Sequence, residues 1–201
     1  MTFVLTLSCD NKPGPGTNSS TSINLSENTA DTLQIKQLVR QTLIWADSKN
    51  SIDLLPVFTD DKDSVYVGLD LNKHKQNLIK LKESNFFSAE FIDNYNKIIL
   101  KLDNGLRTNK YEPWLVGELP TFGFANDASP WCNCQDNNDW NTVEIRTISL
   151  SQDRGEFDWY WGNLNQETHQ SWRDFSYRFG VSKEDGKWKI SEMEGFKLEG
   201  I

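Results

Sequence analysis

Residues 175–190, with the sequence FSYRFGVSKEDGKWKI, decide the fold. Apolar and polar residues alternate along the first half of this stretch, and Trp188 and Ile190 share one face after a short connection. A period of two residues is typical of a β-strand that is buried on one side. Gly186 stands where a bulged hairpin favours a glycine. The stretch therefore predicts two antiparallel strands whose apolar residues face one core.

The same alternation begins upstream, at about Thr142. Val143, Ile145 and Thr147 alternate with polar residues, and the pattern then slips at Ile148, which predicts a β-bulge. The next strand places its large aromatic residues on one face: Phe157, Trp159 and Trp161. Together with residues 175–190, these segments predict a four-stranded antiparallel meander.

The preceding part of the chain has helical periodicity instead. Asp31 and Gln34 form a capping-box pattern at the start of a first helix, about 31–48. A second helix is predicted over 72–82, and a third begins at the N-cap Ser88 and stops at Asn104-Gly105. Its apolar stripe consists of Phe91, Ile92, Tyr95, Ile98, Ile99 and Leu102. Helices followed by a meander predict an α+β domain over 31–201, with N-terminal helices packed on a curved antiparallel sheet.

Composition and charge limit the classes of function that the protein can have. The chain has 201 residues, 21 basic and 29 acidic, a net charge of −8. This balance argues against a nucleic-acid partner, since sequence-independent binding to phosphates needs a basic surface. The sequence contains no glycine-rich phosphate loop, nucleophile elbow or zinc-protease motif. We therefore predict no catalytic residue, no cofactor and no metal site, and favour a binding module over an enzyme.

The first nine residues, MTFVLTLSC, resemble the end of a bacterial lipoprotein signal peptide, in which a small residue precedes a lipidated cysteine. The resemblance implies that Cys9 anchors the protein to a membrane of the bacterial cell envelope, in the periplasm or at the outer membrane. The alternative is a frayed terminus or a first strand, with Cys9 an unmodified thiol. Residues 10–30 are rich in Pro, Gly, Ser, Thr and Asn and predict a flexible polar tether.

Two closing motifs allow a family to be named. The run Trp172-Arg-Asp-Phe-Ser-Tyr177 and the run Asp185-Gly-Lys-Trp-Lys-Ile190, after helices and long hairpins, resemble the cystatin-like roll of the nuclear transport factor 2-like superfamily. Within it, the sequence is most similar to small bacterial envelope lipoproteins of uncharacterised function, over about 31–198. The resemblance implies that the concave face of the sheet forms a ligand pocket. Because these motifs are aromatic and structural, they support fold more than activity.

Aromatic residues are dense in the long irregular stretch 111–141, which we interpret as a lid over the open end of the sheet. The candidate ligand-binding residues are Trp131 in the lid and Trp159, Trp161 and Tyr177 on the concave face. The alternative is that these side chains fill the core and the loop completes it. We expect Trp188 to pack against the third helix, and substitution of Trp131 to cost less stability than substitution of Trp188.

Cys132 and Cys134 are the most chemically suggestive pair in the chain. In an exported protein they predict a disulfide that staples the loop, with a redox role as the sharper alternative. A zinc site would need more ligands than two thiolates provide.

Three polar clusters remain. Asp60, Asp61 and Asp63 are interpreted as a solvated acidic turn rather than a calcium site. The basic cluster Lys73, His74, Lys75, Lys80 and Lys82 is interpreted as a solvated helix face, with contact to anionic head groups or an acidic partner as the alternative. Tyr66, Asp70 and His74 are the nearest analogue of the general-base sets of related folds.

These features lead to one function hypothesis with two alternatives. We expect an exported, lipid-anchored binding module that holds an envelope protein or a small ligand through its aromatic concave face and lid. The first alternative is an inhibitor or immunity protein against a secreted toxin or lytic enzyme, for which an acidic surface suits a basic target. The second is an isomerase- or dehydratase-like enzyme on the same roll.

Overall fold

The computed structural model describes residues 21–198, with side chains described from Thr29 onward. The helices are α1 (Thr21–Ala46), α2 (Leu71–Ser84), α3 (Ala89–Arg107) and α4 (Gln170–Arg173), and the strands are β1 (Val57–Thr59), β2 (Tyr66–Leu69), β3 (Val143–Leu150), β4 (Arg154–Trp161), β5 (Tyr177–Glu184) and β6 (Lys187–Met193). Strands β3 to β6 form an antiparallel sheet in sequence order, and β1 and β2 form a separate hairpin. The predicted α+β class is therefore confirmed, with helices packed on an antiparallel sheet. The expected signal at residues 1–9, including Cys9, and residues 10–20 of the expected tether lie outside the described residues.

The register of the sheet contains two irregularities. The slip predicted in β3 is confirmed, because the pairing with β4 shifts between Thr147 and Ser149. A second shift lies between β5 and β6, where Ser191 is the extra residue. The connection between these two strands is a direct two-residue turn at Asp185 and Gly186, both at positive φ (51° and 74°), rather than the bulged hairpin expected.

Helix α1 begins at Thr21, so residues 21–30 of the expected tether are helical and the predicted start at Asp31 is wrong. Asp31 lies inside the helix. Its carboxylate accepts a hydrogen bond from the indole N–H of Trp188 at 2.8 Å and lies 3.4 Å from Lys183 Nζ. Asp31 therefore joins α1 to the β5–β6 hairpin instead of capping the helix. Strand β6 packs against α3, as expected, and also against α1, which supplies this contact to Trp188.

The ends of α2 and α3 follow from local chemistry. Asp70 caps α2 by accepting from the backbone N–H of Asn72 and Lys73, and Ser88 caps α3 as predicted. The predicted stop at Gly105 is wrong, since α3 continues to Arg107. A Cβ at position 105 would lie 2.2 Å from the ring of Tyr111. The glycine thus admits an aromatic ring against the helix rather than ending it.

The segment before α3 protects the free edge of β6. Phe86 O accepts a hydrogen bond from the backbone N–H of Ile190, and Ser88 N–H donates to Ile190 O. At Ile190 the edge strand therefore offers no unpaired backbone group to another chain. The pairing also places the first turns of α3 beside β6, which positions the surface described next. Among residues 21–198, no helix combines the length and apolar character needed to cross a bilayer.

Candidate functional site

The four aromatic side chains predicted to bind a ligand are all buried. Trp131 is 6% exposed, Trp161 is 5% exposed, and Trp159 and Tyr177 are fully buried. Phe157, Trp159 and Trp161 do share the inner face of β4, as the alternation predicted. None of the four candidates lines the surface depressions described below. The structure therefore places them in the core, which is the alternative that the sequence had left open.

The long loop reaches this core through Trp131. Its ring lies among the rings of Trp45, Phe87, Phe91 and Phe196, with centroid distances of 4.6–6.2 Å. Aromatic pairs at such separations attract one another beyond their area burial. The loop thus completes the core instead of covering an open pocket.

Hydrogen bonds hold the loop next to Trp131. Tyr177 Oη donates to Pro130 O at 2.7 Å and accepts from the backbone N–H of Gly195 at 2.9 Å. Burial raises the pKa of Tyr177 well above its ordinary value, so the hydroxyl stays protonated and keeps both bonds. Close by, Cys132 and Cys134 are joined by a disulfide with an S–S distance of 2.00 Å. These contacts give Tyr177 and the cysteine pair a structural role in the loop.

The set Tyr66, Asp70 and His74 does not converge. The Tyr66 ring packs against Trp114 at 4.4 Å, and the Asp70 carboxylate is engaged by the backbone of α2. His74 Nε2 lies 2.9 Å from Asn96 Oδ1. Because each side chain has a different partner, the arrangement provides no general base aimed at a shared substrate position.

His74 is nevertheless an unusual side chain. It is 2% exposed, and its Nδ1 has no hydrogen-bond partner among the residues of the described part of the chain. Burial lowers the pKa of His74, and the hydrogen bond to Asn96 opposes that shift. The imidazole is therefore neutral at pH 7, and the basic cluster predicted on α2 loses one of its charges.

The remaining polar clusters behave as solvated surface. Asp60 Oδ1 accepts from the backbone N–H of Ser64 at 2.8 Å and of Val65 at 3.2 Å, so this carboxylate closes its own turn. Lys73 pairs with Asp53 at 2.7 Å on an exposed surface, where such pairs stabilise little. Both observations agree with the interpretation of these clusters as solvated surface.

The outer face of the sheet carries ordered charge. Arg146, Asp158 and Arg178 stand in one cross-strand row on β3, β4 and β5. The Asp158 carboxylate is almost buried, and the two exposed guanidinium groups approach it at 2.5 Å and 3.4 Å. A carboxylate held between two arginines keeps this row in place and leaves the guanidinium edges exposed.

The next row forms a hollow. Glu156, Gly180 and Glu192 pair in register across β4, β5 and β6, with the bulged Ser191 beside them. We call these four residues the Gly180 hollow. They line two adjoining depressions of about 520 Å³ and 310 Å³ on the outer face. The larger one continues to the first turns of α3, where Glu90 and Asp93 add carboxylates. Sequence reasoning missed this site.

Comparison with known proteins gives no further guide. No protein-family model, curated protein or solved structure matches the chain. Within residues 21–198, no group of three or more His, Cys, Asp or Glu side chains is placed to hold a metal ion. The functional argument therefore depends on the surface geometry of this chain alone.

Proposed function

We propose that the protein is an exported, lipid-anchored binding module of the bacterial cell envelope that holds a protein partner on the outer face of its sheet. The observation that carries this proposal is the division between the two faces. The inner face is filled by aromatic side chains and by the loop around Trp131, whereas the outer face is open and carries ordered charge. A filled interior leaves recognition to the surface.

The chemistry of that surface favours a basic partner. The chain carries a net charge of −8, and the larger depression is lined by five carboxylates and three basic side chains. Opposite charge across an interface accelerates association and suppresses wrong partners. The same feature supports the second candidate function, an inhibitor or immunity protein that blocks a basic secreted toxin or lytic enzyme. The enzyme alternative gains no support from Tyr66, Asp70 and His74, since these side chains do not meet.

Membrane fractionation tests the anchor. In the full-length protein expressed in a bacterium, Cys9→Ser is expected to move the domain from the membrane to the soluble fraction, because only a cysteine receives the lipid. Ser8→Ala is the matched control, since it keeps a small residue before the cysteine and is expected to remain at the membrane. Unchanged fractionation of Cys9→Ser would rule the anchor out.

Site-specific photocrosslinking tests the binding face. Tyr160 lies on the outer face of β4 and is 37% exposed, so p-benzoylphenylalanine fits there. We expect this variant to form one discrete adduct in intact cells, and a probe at exposed Gln76 on α2 to form none. The same adduct from both positions, or from neither, would contradict the assignment of the outer face.

A further inference from the structure

The Gly180 hollow exists because glycine has no side chain at the centre of this cross-strand row. Neighbouring strands lie about 4.7–4.9 Å apart, so the Cα atoms of Glu156 and Glu192 are roughly 10 Å apart, with Gly180 between them. A Cβ at position 180 would lie 3.2 Å from Ser191 Oγ and 3.3 Å from Glu192 Cβ. A side chain at position 180 would therefore cover Ser191 Oγ.

An unsatisfied hydroxyl lies at this hollow. Ser191 is 4% exposed and lines both depressions. Its Oγ has no hydrogen-bond partner among the residues that the structure describes. This oxygen borders the depressions instead of being sealed from solvent. A ligand that offers a hydrogen-bond donor in the hollow can therefore reach it.

The two carboxylates of the hollow are also available. Many charged groups nearby are already paired: Lys97 with Asp93 at 2.7 Å, Arg154 with Glu90 at 2.6 Å, and Arg178 with Asp158 at 3.4 Å. By contrast, neither Glu156 nor Glu192 has an ion-pair partner within 4 Å in the described part of the chain. Lys197 also lines the larger depression without such a pair. Arg154 lies close enough to Glu192 for their charges to attract without an ion pair, and this attraction contributes to raising the pKa of Arg154. The hollow itself presents two carboxylates and one hydroxyl.

We propose that the Gly180 hollow binds one arginine side chain of a basic partner protein, an inference that rests on the proposed function. A guanidinium group is planar and presents five N–H donors in a fixed fork. Inserted above Gly180, it directs donors to a carboxylate on each side and to Ser191 Oγ, and such charge-assisted bonds are the strongest of their kind. An ammonium group concentrates its donors at one point and spans the two carboxylates less well.

A peptide titration followed by NMR tests this assignment. The probe is acetyl-Gly-Arg-Gly-amide added to the uniformly ¹⁵N-labelled protein. We expect saturable shifts of the backbone amides of Gly180, Ser191 and Glu192, and weaker binding of the matching lysine peptide. The citrulline peptide keeps the shape of arginine without its charge and is expected to produce no saturable shift.

Variants locate the binding. Glu192→Gln is expected to weaken the arginine peptide about tenfold, the effect of losing one charge-assisted hydrogen bond. Gly180→Ala is expected to weaken the arginine peptide about tenfold, because the new Cβ lies 3.2 Å from Ser191 Oγ and keeps the guanidinium from it. Glu83→Gln, at an exposed position on α2, is the matched control and is expected to bind as the parent does. If the spectrum of Gly180→Ala shows that it is unfolded, Glu156→Gln supplies the second test, with the same expectation as Glu192→Gln.

Three results would overturn the inference. These are the absence of saturable shifts with the arginine peptide, equal shifts with the citrulline peptide, or displacement of the arginine peptide by calcium chloride alone, which would assign the carboxylates to a metal ion. Failure here with successful crosslinking from Tyr160 would remove the arginine site and keep the proposed function. Failure of crosslinking together with saturable arginine binding would keep the arginine site and remove the proposed function.

Discussion

Replacing Trp131 by alanine tests whether the long loop belongs to the core. The side chain is 6% exposed, and four aromatic rings surround it, with the ring of Phe196 at 4.6 Å and that of Phe87 at 5.6 Å. Emptying a buried tryptophan site costs about 3–5 kcal/mol. Each aromatic pair adds roughly 0.5–1.5 kcal/mol beyond area burial. Since these contributions overlap, we expect the free energy of unfolding to fall by about 4–5 kcal/mol.

Urea unfolding followed by far-ultraviolet circular dichroism measures this loss, since that signal does not depend on the tryptophan removed. Trp172→Ala is the matched control. Trp172 is half-buried and, among the described residues, has one ring neighbour, Trp161, at 5.6 Å, so we expect a loss of less than about 2 kcal/mol. An unchanged slope of stability against urea would show that both variants unfold in the same way.

The outcome distinguishes the two interpretations of the loop. If Trp131→Ala costs no more than Trp172→Ala, the loop is not part of the core, and Trp131 regains its place as a ligand-binding candidate. The structure also reverses the expected order of Trp131 and Trp188. The Trp188 ring is covered on one side by the Lys183 ammonium at 4.6 Å rather than by several aromatic rings. We therefore expect Trp188→Ala to be the milder of the two substitutions.

Three further predictions follow from individual contacts. Burial lowers the folded-state pKa of His74, so the unfolded chain takes up a proton first as the pH falls. The free energy of unfolding is therefore highest above pH 6.5 and decreases below it. Urea titrations on both sides of that pH should show this dependence in the parent protein and not in His74→Gln. Gly105→Ala should destabilise the fold by about 1–3 kcal/mol in the same assay, because the new methyl group collides with Tyr111; a gain in stability would contradict this. Cys132 and Cys134 should resist alkylation until reduced in protein from an oxidising compartment, and two free thiols there would disprove the pairing.

The sheet and the cap of α3 could be predicted because their signals are local. Alternation of two residues indicates one buried face, and it placed Phe157 and Trp159 together on the face that the structure shows to be buried. The cap at Ser88 needs only a hydroxyl and a nearby backbone N–H. The predictions at Asp31 and Gly105 were wrong for the opposite reason, since each residue contacts a partner elsewhere in the chain. Asp31 accepts a hydrogen bond from Trp188, and Gly105 lies against the ring of Tyr111. Such tertiary contacts override local preference.

The candidate site was harder to predict. Trp131 and Tyr177 looked equally suited to a pocket and to a core, since both environments favour large aromatic side chains. The Gly180 hollow depends on register: the bulge at Ser191 sets Glu192 opposite Gly180, and sequence spacing does not disclose where that bulge lies. A glycine in a strand signals a bulge or a close approach only once its neighbours are known.

The alternation that builds the fold also determines where recognition can occur. Successive residues of a strand point to opposite faces, so the positions that place Trp159 and Phe179 in the core place Asp158 and Gly180 on the outer face. The aromatic residues Trp159 and Phe179 are used in packing. The residues between them in the strands point away from the core, and at Gly180 the strand has no side chain. Chemistry that folding does not require is therefore concentrated at the exposed positions of the outer face, such as Glu156 and Glu192, where substitutions should alter binding while leaving stability nearly unchanged.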